Sequence, residues 1–126
     1  MALLGYGRFG RSLGQLLADG GVAHRAYDPL ASIPAEHRAE SLGDLTAGAT
    51  FVVIAVPVPR VRAALVDLRP HLDRAQIVLD VGSVKVHPAA AFAEVLGSAI
   101  PWCGTHPLFG QMCIRDRCLP TARQPI

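Results

Sequence analysis

One histidine of this chain lies in a setting suited to chemistry. His106 belongs to the loop 104–110, GTHPLFG, which is bounded by glycines, follows a short apolar run and places a proline directly after the histidine. An imidazole titrates near neutral pH, so it can accept a proton from a reacting hydroxyl group. On residue type and setting alone, a general base and a satisfied loop histidine explain His106 equally well.

A second polar segment, DVGSVK at 80–85, lies upstream of that loop. By residue type, Ser83 is more often a helix N-cap and Lys85 a solvated lysine. Both follow a predicted strand, and we expect them to face His106 across a cleft, which favours a functional role for them. The remaining histidines have no comparable setting and are predicted to be surface residues: His24, His37, His71 and His87.

The segment 5–10, GYGRFG, follows a short apolar strand and opens an amphipathic helix. In the dinucleotide fingerprint, Gly5 permits a tight turn, Gly7 lets the backbone approach a pyrophosphate, and Gly10 allows close helix packing. The helix N-terminus favours negative charge. We therefore predict cofactor binding by this segment, Arg8 and Phe9 included; the alternative is a strand-to-helix turn without a ligand.

Asp28 lies eighteen residues after Gly10, at the end of the second predicted strand. Its carboxylate would accept hydrogen bonds from an adenosine ribose and repel a 2′-phosphate, so NAD is favoured over NADP. Arg25, a nearby cation, weakens that preference because it would attract a 2′-phosphate. The alternative is a turn-forming Asp before Pro29.

Strands and helices are predicted to alternate along the chain. The predicted strands are 2–4, 22–27, 51–56, 76–81 and 100–103, and the helices are 9–19, 59–72 and 88–96, with a polar stretch at 30–50 that holds at most a short strand at 38–41. Alternation with strands apolar on both faces predicts the α/β class, a doubly wound Rossmann-type parallel sheet. Ligands of such sheets bind beyond the carboxyl ends of the strands, where every segment named above begins.

The composition excludes several classes of protein. Of the 126 residues, 51% are hydrophobic and 17% charged, which is typical of a folded domain. A net charge of +2 without a basic patch gives no reason to expect nucleic acid. The longest apolar run, 51–58, is too short for a bilayer, and no secretory signal begins the chain, so we expect a cytoplasmic protein without a membrane partner. Three cysteines show no zinc spacing, so no metal is predicted.

Four segments in this order resemble the prephenate/arogenate dehydrogenase family: GYGRFG at 5–10, IAVPV at 54–58, DVGSVK at 80–85 and THPLFG at 105–110. The last two motifs are specific. The resemblance implies that residues 1–110 form an NAD(P)-binding Rossmann domain, with Val56 and Pro57 also at the cofactor.

The same resemblance implies the chemistry. His106 would draw the proton of the substrate's ring hydroxyl as hydride leaves for C4 of the nicotinamide, and Ser83 would orient the histidine and touch the substrate. Loss of CO2 then aromatises the ring, giving 4-hydroxyphenylpyruvate from prephenate or tyrosine from arogenate. Ser83, Lys85 and His106 are the expected substrate-binding residues.

The chain departs from that family after Gly110. Family members continue into a helical domain that dimerises and completes the substrate pocket, so we expect a homodimeric parent protein and an inactive fragment. Residues 111–117, QMCIRDR, can be back-translated as CAG ATG TGT ATA AGA GAC AGR, which contains AGATGTGTATAAGAGACAG, the transposase mosaic end of sequencing libraries. We therefore expect residues 111–126 to be a non-native tail from adaptor read-through; the alternative is a genuine divergent tail.

Two other readings stay open. Another Rossmann dehydrogenase, of the β-hydroxyacid dehydrogenase or imine reductase type, matches the first half equally well but does not supply the loop 104–110. A non-catalytic NAD-binding module would bind nucleotide with His106 dispensable.

Overall fold

The computed structural model describes residues 1–82 and 86–105, with the backbone alone for Val86. Strands and helices alternate as predicted. The strands are β1 (Ala2–Leu4), β2 (Arg25–Tyr27), β3 (Phe51–Ile54), β4 (Ile77–Asp80) and β5 (Trp102–Gly104). The helices are α1 (Arg8–Asp19), α2 (Leu42–Thr46), α3 (Val61–Leu68) and α4 (Val86–Val95).

The five strands form one parallel sheet in the order β2-β1-β3-β4-β5, which confirms the predicted doubly wound architecture. The chain moves outward from β1 to β2 and then crosses to β3 on the other side of β1. This reversal of strand order leaves a crevice between the carboxyl ends of β1 and β3, the usual ligand position in such sheets. One row of paired residues crosses the sheet at these carboxyl ends: Tyr27, Leu4, Ile54, Asp80 and Gly104.

Apolar side chains are buried on both faces of the sheet. On one face, Leu4, Val52 and Ile54 pack with side chains of α2, α3 and α4, among them Leu65 and Phe92. On the other face, Leu3, Ala26 and Val53 pack with Tyr6 and Ile33, and half-buried side chains of α1 lie against them. This two-sided burial explains why β3 has no polar alternation.

Prolines divide the predicted helix 59–72 into three pieces. A 3-10 turn at Val58–Arg60 precedes α3, and a second at Arg69–His71 follows it. Pro70 has no N–H to continue the α-helical hydrogen bonds, so α3 ends before it.

The stretch 30–50 is more structured than the sequence predicts. Instead of a strand at 38–41, Arg38 makes a single parallel bridge with Ala26. The short helix α2 was not predicted. Ser41 caps it, because its Oγ accepts a hydrogen bond from the Asp44 N–H at 3.1 Å.

The predicted surface position of His24 is wrong. Its side chain is 6% exposed and stacks on His37 with ring centroids 4.1 Å apart. Gly14 of α1 makes room for it, since a Cβ there would lie 3.4 Å from Nε2. Nδ1 lies 3.2 Å from the Val22 carbonyl oxygen, whereas Nε2 is buried without a hydrogen-bond partner. Burial, with a smaller contribution from His37, lowers the pKa of His24.

The other three histidines lie nearer the solvent. His71 and His87 are exposed, as predicted, and His37 is half-buried. Among the residues the structure describes, no helix is both long and apolar enough to traverse a bilayer.

Candidate functional site

The three glycines of the fingerprint have different surroundings. Gly5 has φ +100°, and a Cβ there would lie 2.6 Å from the Ala55 carbonyl oxygen. A Cβ on Gly10 would collide with the carbonyl oxygen of Gly5. Gly7 is different, because nothing lies within 4 Å of its Cβ position. The fold therefore requires Gly5 and Gly10, while the space beside Gly7 is open to a ligand.

The N-terminus of α1 opens onto the same space. Gly7 is the N-cap residue, so it offers no side chain to the first N–H groups, and the first turn contains no acidic residue. Its carbonyl oxygen accepts the N–H of Arg11 at 2.9 Å, which begins the helical hydrogen bonds. Uncapped N–H groups and the helix dipole both favour an anion at this position.

Asp28 joins the end of β2 to the glycine loop. Its Oδ2 accepts the Tyr6 N–H at 2.8 Å, and its Oδ1 accepts the Leu30 N–H at 2.9 Å. Beside it, the Gly5 N–H donates to the Tyr27 carbonyl oxygen at 3.0 Å. Each carboxylate oxygen has a further lone pair, so half-buried Asp28 can also accept hydrogen bonds from a ligand's hydroxyl groups.

A cleft of about 960 Å³ extends from the glycine loop to α3, at the crevice between β1 and β3. That volume lies at the upper end of the range typical of cofactor sites, about 300–1,000 Å³. Of the eight residues predicted to bind cofactor, all but Gly10 line it: Gly5, Gly7, Arg8, Phe9, Asp28, Val56 and Pro57. Gly10 instead packs beneath the loop.

The cleft has a second wall that the motifs did not indicate. Arg60, Ala63, Ala64 and Asp67 line it from the 3-10 turn and α3. The signal was in the sequence: positions 60, 63, 64 and 67 recur at helical spacing directly after the switch-point strand.

Arg25 does not line this cleft. Its guanidinium forms a two-pronged ion pair with Asp44 of α2, in which Nη2 donates to Oδ2 at 2.8 Å. It also donates to the Arg38 carbonyl oxygen at 3.3 Å. The Glu40 N–H and Arg25 together lower the pKa of Asp44. The expectation that Arg25 tempers the preference for NAD therefore finds no support, because the side chain is bonded elsewhere.

Asp80 organises the other end of the same sheet edge. Its carbonyl oxygen accepts both the N–H and the Oγ1–H of Thr105, each at 2.8 Å. Its Oδ1 accepts the Gly82 N–H at 2.8 Å. Gly82 and Thr105 directly precede Ser83 and His106 in the chain. The two predicted catalytic segments thus leave the sheet from adjacent strands that share one anchoring residue.

Ser83, Lys85 and His106 themselves lie outside the described residues, as does the tail 111–126. Their roles stay predictions. Within the described ranges 1–82 and 86–105, no group of three or more His, Cys, Asp or Glu side chains is placed to hold a metal ion.

Solved structures share this fold. Pyrroline carboxylate reductase of Plasmodium falciparum, with NADP bound, superposes with a TM-score of 0.72 at 18% identity, over 90% of this chain and 43% of that one. An imine reductase from Myxococcus stipitatus in complex with NAD+ gives 0.69 at 17%, over 88% and 41%. Prephenate dehydrogenase from Aquifex aeolicus gives 0.66 at 24%, over 86% and 42%. At these identities the likeness shows the fold alone.

Sequence comparison is more specific. The T-protein of Haemophilus influenzae is 29% identical over 106 residues, which are 84% of this chain and 26% of that protein. A protein of Methanocaldococcus jannaschii named probable arogenate/prephenate dehydrogenase is 29% identical over 60 residues, 48% of this chain and 14% of its own length. This chain thus spans about a quarter, or less, of these relatives.

The family described as prephenate dehydrogenase, nucleotide-binding domain, matches residues 34–114. The match begins after the glycine loop, so it rests on β3, β4, β5 and the segments that follow them. Through the nucleotide-binding domain, the chain belongs to the prephenate dehydrogenase family.

Proposed function

We propose that this chain is the cofactor-binding part of an enzyme that oxidatively decarboxylates prephenate or arogenate with NAD in tyrosine biosynthesis. The observation that carries the proposal is the aligned row of carboxyl ends across the sheet. Along that edge, from β2 to β5, come Asp28, the glycine loop, Pro57 and the two segments anchored by Asp80. Adjacent strands are about 4.8 Å apart, so an extended dinucleotide can follow the row.

The residues at one end of the row fit the adenosine and pyrophosphate of NAD. Asp28 would accept the ribose hydroxyls, and the open space at Gly7 would admit the pyrophosphate beside the N-terminus of α1. Val56 and Pro57 would line the part of the cleft that receives the nicotinamide half of NAD. When bound, the nicotinamide accepts a hydride from the substrate.

At the other end, His106 would take the proton of the ring hydroxyl as the C–H bond breaks. Ser83 would hold the imidazole in position, and Ser83 and Lys85 would contact the substrate. The support for this arrangement is that Gly82 and Thr105 are both bonded to Asp80, which brings the two segments out side by side. Loss of CO2 then supplies the electron pair that makes the ring aromatic.

NAD is the better fit of the two cofactors. Asp28 at the end of β2 would repel a 2′-phosphate on the adenosine ribose, and Asp67 adds a second carboxylate to the lining of the cleft. Arg25, the nearby cation, is held by Asp44. We further propose that the substrate pocket and a homodimer interface are completed by polypeptide outside the part of the longer relatives that this chain spans.

An imine or pyrroline reductase is the second enzyme candidate, but only the shared fold supports it, at 17–18% identity. A non-catalytic NAD-binding module would bind the dinucleotide in the same cleft, between the glycine loop and Pro57. It differs in one measurable respect, since it has no need of His106.

The test begins with the source DNA, read across the codons for Phe109 to Arg117. An interruption at the mosaic-end sequence would support the adaptor origin of residues 111–126, and unbroken genomic sequence there would refute it. The natural reading frame is then expressed, and NAD-dependent oxidation of prephenate and arogenate is measured for wild type, His106→Ala and His87→Ala. His87 is exposed and outside the site, so its variant is the matched control.

We expect one of the two substrates to be oxidised, with kcat/KM lower by about 10²- to 10⁴-fold in His106→Ala and unchanged in His87→Ala. If wild type binds NAD but oxidises neither substrate, the chain is a binding module or a different dehydrogenase. Full activity in His106→Ala would remove the histidine from the mechanism.

A further inference from the structure

The turn after β3 directs one arginine into the cleft. Pro57 begins the turn, and its carbonyl oxygen accepts the Arg60 N–H at 2.8 Å, which closes the 3-10 turn Val58–Arg60. Arg60 thereby lines the cleft that Gly7, Arg8, Val56 and Pro57 also line.

Arg62, two residues further on, provides a contrast. It is exposed outside the cleft and donates to Glu94 of α4, with Nη2 and Oε1 2.5 Å apart. This pairing raises the pKa of Arg62. Arg60 has no such carboxylate, because none of the ion pairs or side-chain hydrogen bonds among residues 1–82 and 86–105 includes its guanidinium. A cation without a partner in a cleft is available to an anionic ligand.

The cleft carries charges of both signs. Arg8, which directly follows Gly7 in the chain, and Arg60 line it together with Asp28 and Asp67. Arg60 and Asp67 are seven residues apart, which is about 10 Å along a helical wall. An anion beside Gly7 would share the cleft with both guanidinium groups.

Because Arg60 lines the same cleft as the glycine loop and has no ion-pair partner among the described residues, we infer that it binds the pyrophosphate of the dinucleotide, as a second cation with Arg8 and the N-terminus of α1. The inference rests on the proposed cofactor function and deepens it. A pyrophosphate diester carries two negative charges, and the partial charge of the helix end neutralises only about half of one. Arg8 and Arg60 together match the two charges, and a guanidinium fork suits phosphate oxygens.

The experiment measures dissociation constants of the 126-residue chain by calorimetry for NAD+, NADP+, ADP and adenosine. Arg60→Met removes the charge and keeps an unbranched side chain, and Arg62→Met is the matched control. We expect Arg60→Met to raise the Kd of NAD+ and ADP about 5- to 20-fold, with adenosine unchanged because it has no phosphate. Arg62→Met is expected to change none of them by more than about twofold, and the affinity of Arg60→Met for NAD+ should depend less on salt.

Three results would overturn the inference. An unchanged Kd for ADP would mean that Arg60 does not contact the phosphates. An equal loss for adenosine and ADP would mean that the substitution reshapes the cleft. A loss confined to NADP+ would assign Arg60 to the 2′-phosphate. If wild type binds neither NAD+ nor ADP, the proposed cofactor function fails first, and Arg60 has no dinucleotide to bind.

Discussion

Substitution of alanine for Gly7 and for Gly10 tests cofactor binding and folding separately, because the added methyl group has different surroundings at the two positions. A methyl group added at Gly7 meets nothing within 4 Å, and the backbone there has φ −69° and ψ −157°, which alanine can adopt. A methyl group added at Gly10 meets the Gly5 carbonyl oxygen under α1. We therefore expect Gly7→Ala to weaken NAD+ binding at nearly constant stability, and Gly10→Ala to destabilise the domain.

The magnitudes follow from the contacts. At Gly7 the methyl group would hold the pyrophosphate away from the backbone and cost about one charge-assisted hydrogen bond, about 1.5–3 kcal/mol or 10- to 100-fold in Kd. The effect on folding should stay within about 1 kcal/mol, since alanine is a poorer N-cap but reduces the freedom of the unfolded chain. At Gly10, overpacking costs about 1–3 kcal/mol, which lowers the Tm of a domain of this size by about 4–20 °C.

The assay pairs calorimetric titration with NAD+ and thermal unfolding followed by circular dichroism, on wild type and both variants. Wild-type affinity in Gly7→Ala would show that no phosphate approaches the loop there. An unchanged Tm in Gly10→Ala would show that the contact between α1 and the Gly5 carbonyl is not as close as the structure has it. Either result would refute this account of the glycine loop.

Two further predictions concern Asp28 and His24. Asp28→Asn should lower the Kd ratio of NADP+ to NAD+ because it removes the repelling charge, and should lower the Tm because one of the Tyr6 and Leu30 N–H groups loses its acceptor. Arg25→Met, the control, should lower the Tm with that ratio unchanged; a shift in its ratio would place Arg25 at the cofactor after all. For His24, burial lowers the pKa from 6.5, so the unfolded chain binds more protons in acid. Stability should be fully present above about pH 6.5 and fall as the pH is lowered below that value, less steeply in His24→Phe; equal slopes in the two proteins would contradict a buried neutral imidazole.

Local rules were sufficient to predict the glycine loop and most of the strands. The spacing of Gly5, Gly7 and Gly10 between a strand and a helix identifies the loop, and β3 is apolar enough on both faces to be identified alone. The short helix α2 was not predictable in this way, because five residues carry no periodicity. Asp44 of α2 pairs with Arg25 of β2, a contact that no local pattern reveals.

The positions of His24 and Arg60 were not predicted from the sequence either. His24 is buried by residues distant in the chain, because Gly14 of α1 packs against its ring and His37 stacks on it. Arg60 enters the cleft while Arg62 faces Glu94, a choice set by the 3-10 turn that Pro57 and Pro59 impose. The two side chains are chemically identical, so residue type does not distinguish them, and only their positions relative to the turn and α3 do.

The two backbone hydrogen bonds to Asp28 have a consequence for how cofactor preference can change. The carboxylate is held in place before any ligand arrives, so binding need not spend free energy on ordering it. The same hydrogen bonds stabilise the fold around Asp28. A substitution of Asp28 that admitted NADP would therefore loosen the glycine loop, where the pyrophosphate is proposed to bind. Adaptation to NADP is therefore easier from the periphery, at Leu30, which is 78% exposed, or at Asp67 on the facing wall. In the proposed site, Asp28 would discriminate between the cofactors and at the same time holds the glycine loop in place.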